Sequence, residues 1–187
     1  MRGRLIVVSG PSGAGKSTLI REALDAVPKL AYSVSATTRD PRPGEVDGEH
    51  YIFLSRDEFE KRIGEGYFLE WAEYSGNLYG TPVSRVEALL ESGRSVILEI
   101  ELQGSRKVRE KRPDAVMVFV RAPSLEETRR RLEGRATETS EALETRLATA
   151  VEEVAAREEF DYEVVNGERE QARRDMIDVM EKVTSGG

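Results

Sequence analysis

The chain has 187 residues, enough for one sizeable core but not for two large domains. With 28 Lys and Arg against 35 Asp and Glu, its net charge is −7, which argues against nucleic acid as a partner. It has no cysteine and a single histidine, His50, so disulfides, thiolate catalysis, cysteine-ligated zinc and a multi-histidine metal site within one chain are excluded.

In chain order, the first element is RLIVV, residues 4–8, an apolar run expected of a central strand in a parallel sheet. It leads directly into GPSGAGKST, comprising Gly10, Pro11, Ser12, Gly13, Ala14, Gly15, Lys16, Ser17 and Thr18. Gly10, Gly15, Lys16 and Ser17 match the phosphate-loop pattern G-x-x-x-x-G-K-[ST]. The chemistry follows from that spacing. Glycines bring backbone N–H groups close to an anion, and the following helix N-terminus favours negative charge. Lys16 supplies a point charge for the outer phosphates, and Ser17 can place its hydroxyl on Mg²⁺. A helix follows, with Leu19, Ile20, Ala23, Leu24 and Val27 as its apolar face. The chain therefore binds a nucleoside triphosphate on this reading.

From about residue 35 to 93, glycine and proline punctuate short β-like pieces and short helices, as in an inserted substrate-binding region. TTRDPRPGE sets Arg39 and Arg42 three residues apart on a proline-stiffened stretch, a spacing suited to clamping a phosphate or to two solvated arginines. Tyr51 and Tyr79 suit either phosphate contact or packing, and Ser35 and Thr81 are weaker signals of the same kind. Glu70 sits among aromatic and apolar residues in YFLEWAEYSG, where a carboxylate could accept from guanine N1–H and its amino group. His50 reads as a turn stabiliser, Trp71 as packing for the insert, and the methionines as core.

SVILEIE, residues 95–101, reads as a strand with Ile97, Glu99 and Glu101 on one side. Glu99 and Glu101 could meet an acceptor base, orient Mg²⁺ through water, or orient arginines. AVMVFV, residues 115–120, reads as a strand covered on both faces, and YEVV, residues 162–165, as another. Between them, a polar segment holds Arg131, Arg135 and Arg146, candidates for neutralising a transferring phosphoryl group; Leu143, Leu147, Val151 and Val154 then form a helical face. A last helix spans residues 168–183. Strands alternating with helices predict an α/β fold with a parallel sheet between helices. No apolar run approaches about 18 residues and no leader peptide is visible, so a soluble cytoplasmic protein without a membrane partner is expected. Oligomeric state is not legible.

Taken together, GPSGAGKST, SVSATTRDPRPGEVDGEHY, FLEWAEYSGNLYGT, ILEIELQG, RRLEGRATET and VVN resemble the guanylate kinase family nearly end to end. The resemblance implies the phosphate-loop nucleoside monophosphate kinase fold: a parallel-sheet core (residues 1–34, 96–123 and 148–187), a GMP-binding insert (35–95) and a lid (124–147). It implies phosphoryl transfer from ATP, with Mg²⁺, to GMP and dGMP. Ser35, Arg39, Arg42, Tyr51, Glu70, Tyr79 and Thr81 would then line the GMP side, with Glu99 and Glu101 where the family carries acidic residues, often aspartates. Lys16, Arg39, Arg131, Arg135 and Arg146 would face the transferring phosphates, and Asn166 the ATP adenine. Ala136, in GRAT, stands where the family usually has glycine. Other nucleoside monophosphates as acceptor, or a peptide-binding relative without catalysis, are the alternatives; the complete loop, the arginines and Glu70 argue against both.

Overall fold

In the computed structural model, which describes residues 1–74, 76–133 and 140–186, two sheets frame the molecule. The larger contains β1 (Leu5–Ser9), β2 (Leu30–Tyr32), β7 (Ser95–Glu99), β8 (Val116–Arg121) and β9 (Tyr162–Val165), in the order β2-β7-β1-β8-β9. Every pairing in it is parallel. All five residues of β1 are buried, because helices cover both faces of the sheet.

Side-chain alternation divides this core into two layers. Ile6, Val8, Ile97, Val118 and Val120 pack against α1 (Lys16–Ala26) and α7 (Arg169–Ser185). Leu5, Val7, Val96, Leu98 and Met117 pack against α3 (Val83–Glu91) and α4 (Leu102–Lys111). Although α3 reads as part of the insert from sequence, its Val86 and Leu90 are buried in this second core layer.

The smaller sheet has the order β4-β3-β6-β5, from β3 (Ala36–Thr37), β4 (Ile52–Phe53), β5 (Phe68–Tyr74) and β6 (Asn77–Pro82). Its own small core sets Ala36 and Leu78 around Phe59, from α2 (Arg56–Gly64), which stacks on Phe68 with ring centres 4.3 Å apart. Helices α5 (Leu125–Glu133) and α6 (Ser140–Ala155) follow β8. Arg129 of α5 joins them by donating to Glu144 at 2.9 Å.

Several sequence expectations need correction. The strand read over residues 95–101 stops at Glu99, and Glu101 is instead the residue that caps the start of α4. Trp71 does not pack the insert: it is exposed, with the Lys107 ammonium 5.1 Å from its ring centre. Met117, Met176 and Met180 are core, but Met1 is fully exposed, and Val151 turns its side chain outward from α6. His50 does stabilise a turn, its Nδ1 accepting from the Val46 N–H at 3.1 Å.

Candidate active site

The phosphate loop leaves the carboxyl end of β1, the central strand, which is where parallel α/β sheets place their ligands. Two of its glycines are required by space as well as by conformation. Gly10 has φ of 138°, and a Cβ there would stand 1.9 Å from the Val120 carbonyl oxygen. Gly15 has φ of 86°, and a Cβ there would meet the Asn166 amide at 2.3 Å. That amide donates to the Ala14 carbonyl at 2.8 Å, so a residue from the far end of the chain holds the loop. The Lys16 ammonium donates to the Gly10 and Pro11 carbonyls, folded back over its own loop. Ser17 donates to Glu99 at 2.8 Å, which joins the loop to the end of β7.

Beside the loop lies a cavity of about 320 Å³ lined by Thr18, Leu19, Glu22, Arg131, Asn166 and Arg169 among others. Arg131 is held there from two sides, donating to Glu127 at 2.7 Å and to the Asn166 carbonyl at 2.8 Å. Arg130 and Arg131 together hold the Glu127 carboxyl well below the usual carboxylate range.

A second cluster forms on the smaller sheet. Arg39 makes a forked pair with Glu45, at 2.9 and 3.0 Å, and Glu45 also accepts the Arg42 backbone N–H at 2.7 Å. The guanidinium of Arg39 lies 5.4 Å from the Tyr51 ring centre, and Tyr51 meets Tyr79 edge-on at 6.2 Å. The Arg42 side chain is exposed at the rim, and the Ser35 carbonyl accepts from the Ile52 N–H at 2.9 Å. One glutamate therefore folds TTRDPRPGE so that both arginines start from one point. Glu45 was absent from the sequence-derived candidates, although a carboxylate six residues after Arg39 is a readable signal.

Glu70 is buried on β5 and accepts the hydroxyl of Thr81, also buried, at 2.7 Å across the β5–β6 pair. Burial raises its carboxyl above the ordinary range, opposed by Thr81 and then by Lys107 and Lys111. Those two lysines anchor α4 to β5, donating to the Trp71 and Leu69 carbonyls at 2.7 and 2.6 Å.

A guanylate kinase family model matches residues 2–183. The chain belongs to the guanylate kinase family. Over 186 residues it is 78% identical to the guanylate kinase of Rubrobacter xylanophilus, spanning 100% of this chain and 97% of that protein. It is 52% identical over 176 residues to the guanylate kinase of Streptomyces coelicolor, across 94% of this chain and 89% of that one. A crystal structure of guanylate kinase from Anaplasma phagocytophilum matches with a TM-score of 0.77 at 33% identity, over 96% of this chain and 85% of that chain.

Within this member of the guanylate kinase family, Arg135 and Ala136 lie outside the described residues, and the side chain of Arg146, on α6, does too. Two features of the site were not legible in the sequence. The first is Gly104 on α4: a Cβ there would come within 2.8 Å of Glu70 Oε2. With Glu70 as an acceptor-base contact, Gly104→Ala should displace that carboxylate and raise KM for GMP roughly 10-fold. KM for ATP should hold steady, and stability should change little, because alanine favours a helix by about 1 kcal/mol. Kinetics with each substrate varied in turn check this.

The second is Glu153 on α6, buried beside Glu101 and Lys16. Burial and then Glu101 push its carboxyl up to about 7, with Lys16 opposing. The folded protein thus binds more protons here than the unfolded chain between pH 4.5 and about 7, so this group lowers stability as pH rises through that window. Glu153→Gln should therefore stabilise at pH 8 relative to pH 5, by on the order of 1–2 kcal/mol. Denaturant midpoints of both proteins at the two pH values measure it; an equal difference at both removes the assignment.

Proposed function

We infer that this protein transfers the γ-phosphoryl group of ATP to GMP, and to dGMP, by direct displacement. The observation that carries this reading is the buried Glu70, held by Thr81 on the smaller sheet, in a chain whose larger sheet carries a complete phosphate loop. Its carboxylate is suited to the paired N1–H and amino donors of guanine. Nothing in that arrangement favours adenine, which presents an acceptor where guanine presents N1–H.

The acceptor phosphate would meet Arg39, Arg42, Tyr51 and Tyr79, with Ser35 nearby. Glu45 orients Arg39 in advance, which reduces the ordering needed when the phosphate arrives. On the donor side, backbone N–H groups of the loop from Ser12 to Thr18 would cradle the phosphates, and Lys16 would leave the loop carbonyls to follow them. The cavity between Arg131 and Asn166 would take the adenosine. Arg135 and Arg146 would add charge around the transferring group as a lid over the cleft, and closure would exclude water that otherwise hydrolyses ATP.

Mg²⁺ fits the oxygen chemistry of this site. Ser17 and Glu99 present hard oxygen donors 2.8 Å apart at the loop. Among the described residues no cluster of three or more acidic, histidine or cysteine side chains forms a dedicated metal cage. That pattern suits an ion carried mainly by substrate phosphates and water. When bound, Mg²⁺ neutralises charge on the phosphates. Glu101, beside Glu153 and Lys16, supports an indirect role in this region rather than contact with the guanine base. The acceptor phosphate is already an anion, so no strong general base is needed.

A coupled assay supplying ATP with GMP, dGMP, AMP, CMP or UMP tests the reading. GDP and ADP should form in equal amounts, with GMP and dGMP far ahead of the other acceptors. ATP hydrolysis indifferent to GMP, or equal use of every acceptor, overturns it.

A further inference from the structure

Tyr32 is the last residue of β2, at the carboxyl edge of the core sheet, and is paired with Ile97 of β7. Alternation puts Leu30 and Tyr32 on one face of the sheet, and Leu30 is buried in the same layer as Ile97. Glu99 lies two residues beyond Ile97 on that face, so Tyr32 and Glu99 are diagonal neighbours across the β2–β7 pair. This is a separation that a long aromatic side chain spans.

The surroundings of Tyr32 set it apart from a packing residue. Leu30 and Ala31 are buried, whereas Tyr32 is 38% exposed. Among the described residues no hydrogen bond engages its hydroxyl. Its charged and polar neighbours come from both halves of the site: Glu99, which accepts the Ser17 hydroxyl, and Tyr51, which meets Tyr79 and Arg39. An unengaged donor thus stands diagonal to Glu99, which holds the donor loop, and within electrostatic reach of Tyr51 in the acceptor cluster.

We propose that the Tyr32 hydroxyl donates a hydrogen bond to phosphate oxygens at the junction of ATP and GMP, as a further substrate-contacting residue of the transfer site. The proposal rests on the ATP-to-GMP reading above. The Glu99 carboxylate repels a phosphate brought to this point, and a neutral O–H beside it offers a compensating donor. A tyrosine hydroxyl is protonated at neutral pH, so it serves here as a donor, never as a base.

Tyr32→Phe keeps the ring and removes only the oxygen. Its kcat/KM for GMP should fall about 10-fold, with KM for ATP within about 2-fold of the parent and the melting temperature unchanged. Tyr32→Leu should show the same kinetic loss together with a lower melting temperature, which separates the hydroxyl from the packing of the ring. Activity of Tyr32→Phe within 2-fold of the parent, or a loss confined to KM for ATP, overturns the proposal. The unsubstituted protein, assayed beside the variants, reports separately on the parent reading: if it forms no GDP, that reading fails first.

Discussion

Lys16→Ala should lower kcat by roughly 10²-fold or more, with the fold intact. The ammonium is the cationic side chain carried by the loop itself; among the described residues it donates to the Gly10 and Pro11 carbonyls and lies near the Glu153 carboxyl, outside the hydrophobic core. Its loss leaves the loop held by the Asn166 amide on the Ala14 carbonyl and by the Ala14 N–H on the Pro11 carbonyl at 3.1 Å. The variant should therefore melt close to the parent while losing the point charge that tracks the outer phosphates. The defect should appear in kcat more than in KM for GMP, because the charge acts on the group in flight and not on the acceptor base. Initial rates at saturating GMP, beside a thermal melt, measure both. Near-normal turnover by the folded variant would refute the role.

Glu70→Gln should lower kcat/KM for GMP by 10- to 100-fold while sparing ATP binding, the scale of one buried polar mismatch of about 1–3 kcal/mol. The amide retains the shape and can still accept from Thr81, which donates to the native carboxylate at 2.7 Å. Its NH₂ then faces donors of guanine, so donor meets donor. Stability should move the other way. Burial already disfavours the charged form of Glu70, and a neutral side chain of equal size relieves that cost. Lower GMP efficiency with equal or higher stability is the expected pair. Equal loss for ATP and GMP would place Glu70 in general folding instead.

The amino-acid sequence alone carried the donor half of the candidate site. β1, the loop and α1 are contiguous, and their order follows from local rules: an apolar run makes a buried strand, glycines permit the turn, and a 3.6-residue period makes the helix. The parallel sheet was also legible, since strand and helix patterns alternate along the chain. The strand at Ser95–Glu99 was over-extended because ILEIE keeps its period of two beyond the point where Glu101 starts a helix. Local pattern cannot see that α4 begins there to carry Lys107 and Lys111 onto β5.

Only the tertiary structure decided what surrounds each candidate side chain. Glu70, Thr81 and Gly104 lie on two strands and a helix, and the space beside the carboxylate exists because Gly104 lacks a Cβ. Trp71, the neighbour of Glu70 in sequence, points outward because successive strand residues face opposite sides. Asn166 reaches the loop from residue 14 across 152 positions, and Glu153 meets Lys16 and Glu101 only after α6 has folded back on the core. Tyr32 was unremarkable in LAYSVS and gained its candidacy from the neighbouring strand. Backbone preferences act over a few residues, so a sequence displays them directly. Desolvation, charge pairing and close packing depend on groups far apart in the chain, and those terms appear only when the sheet order brings the groups together.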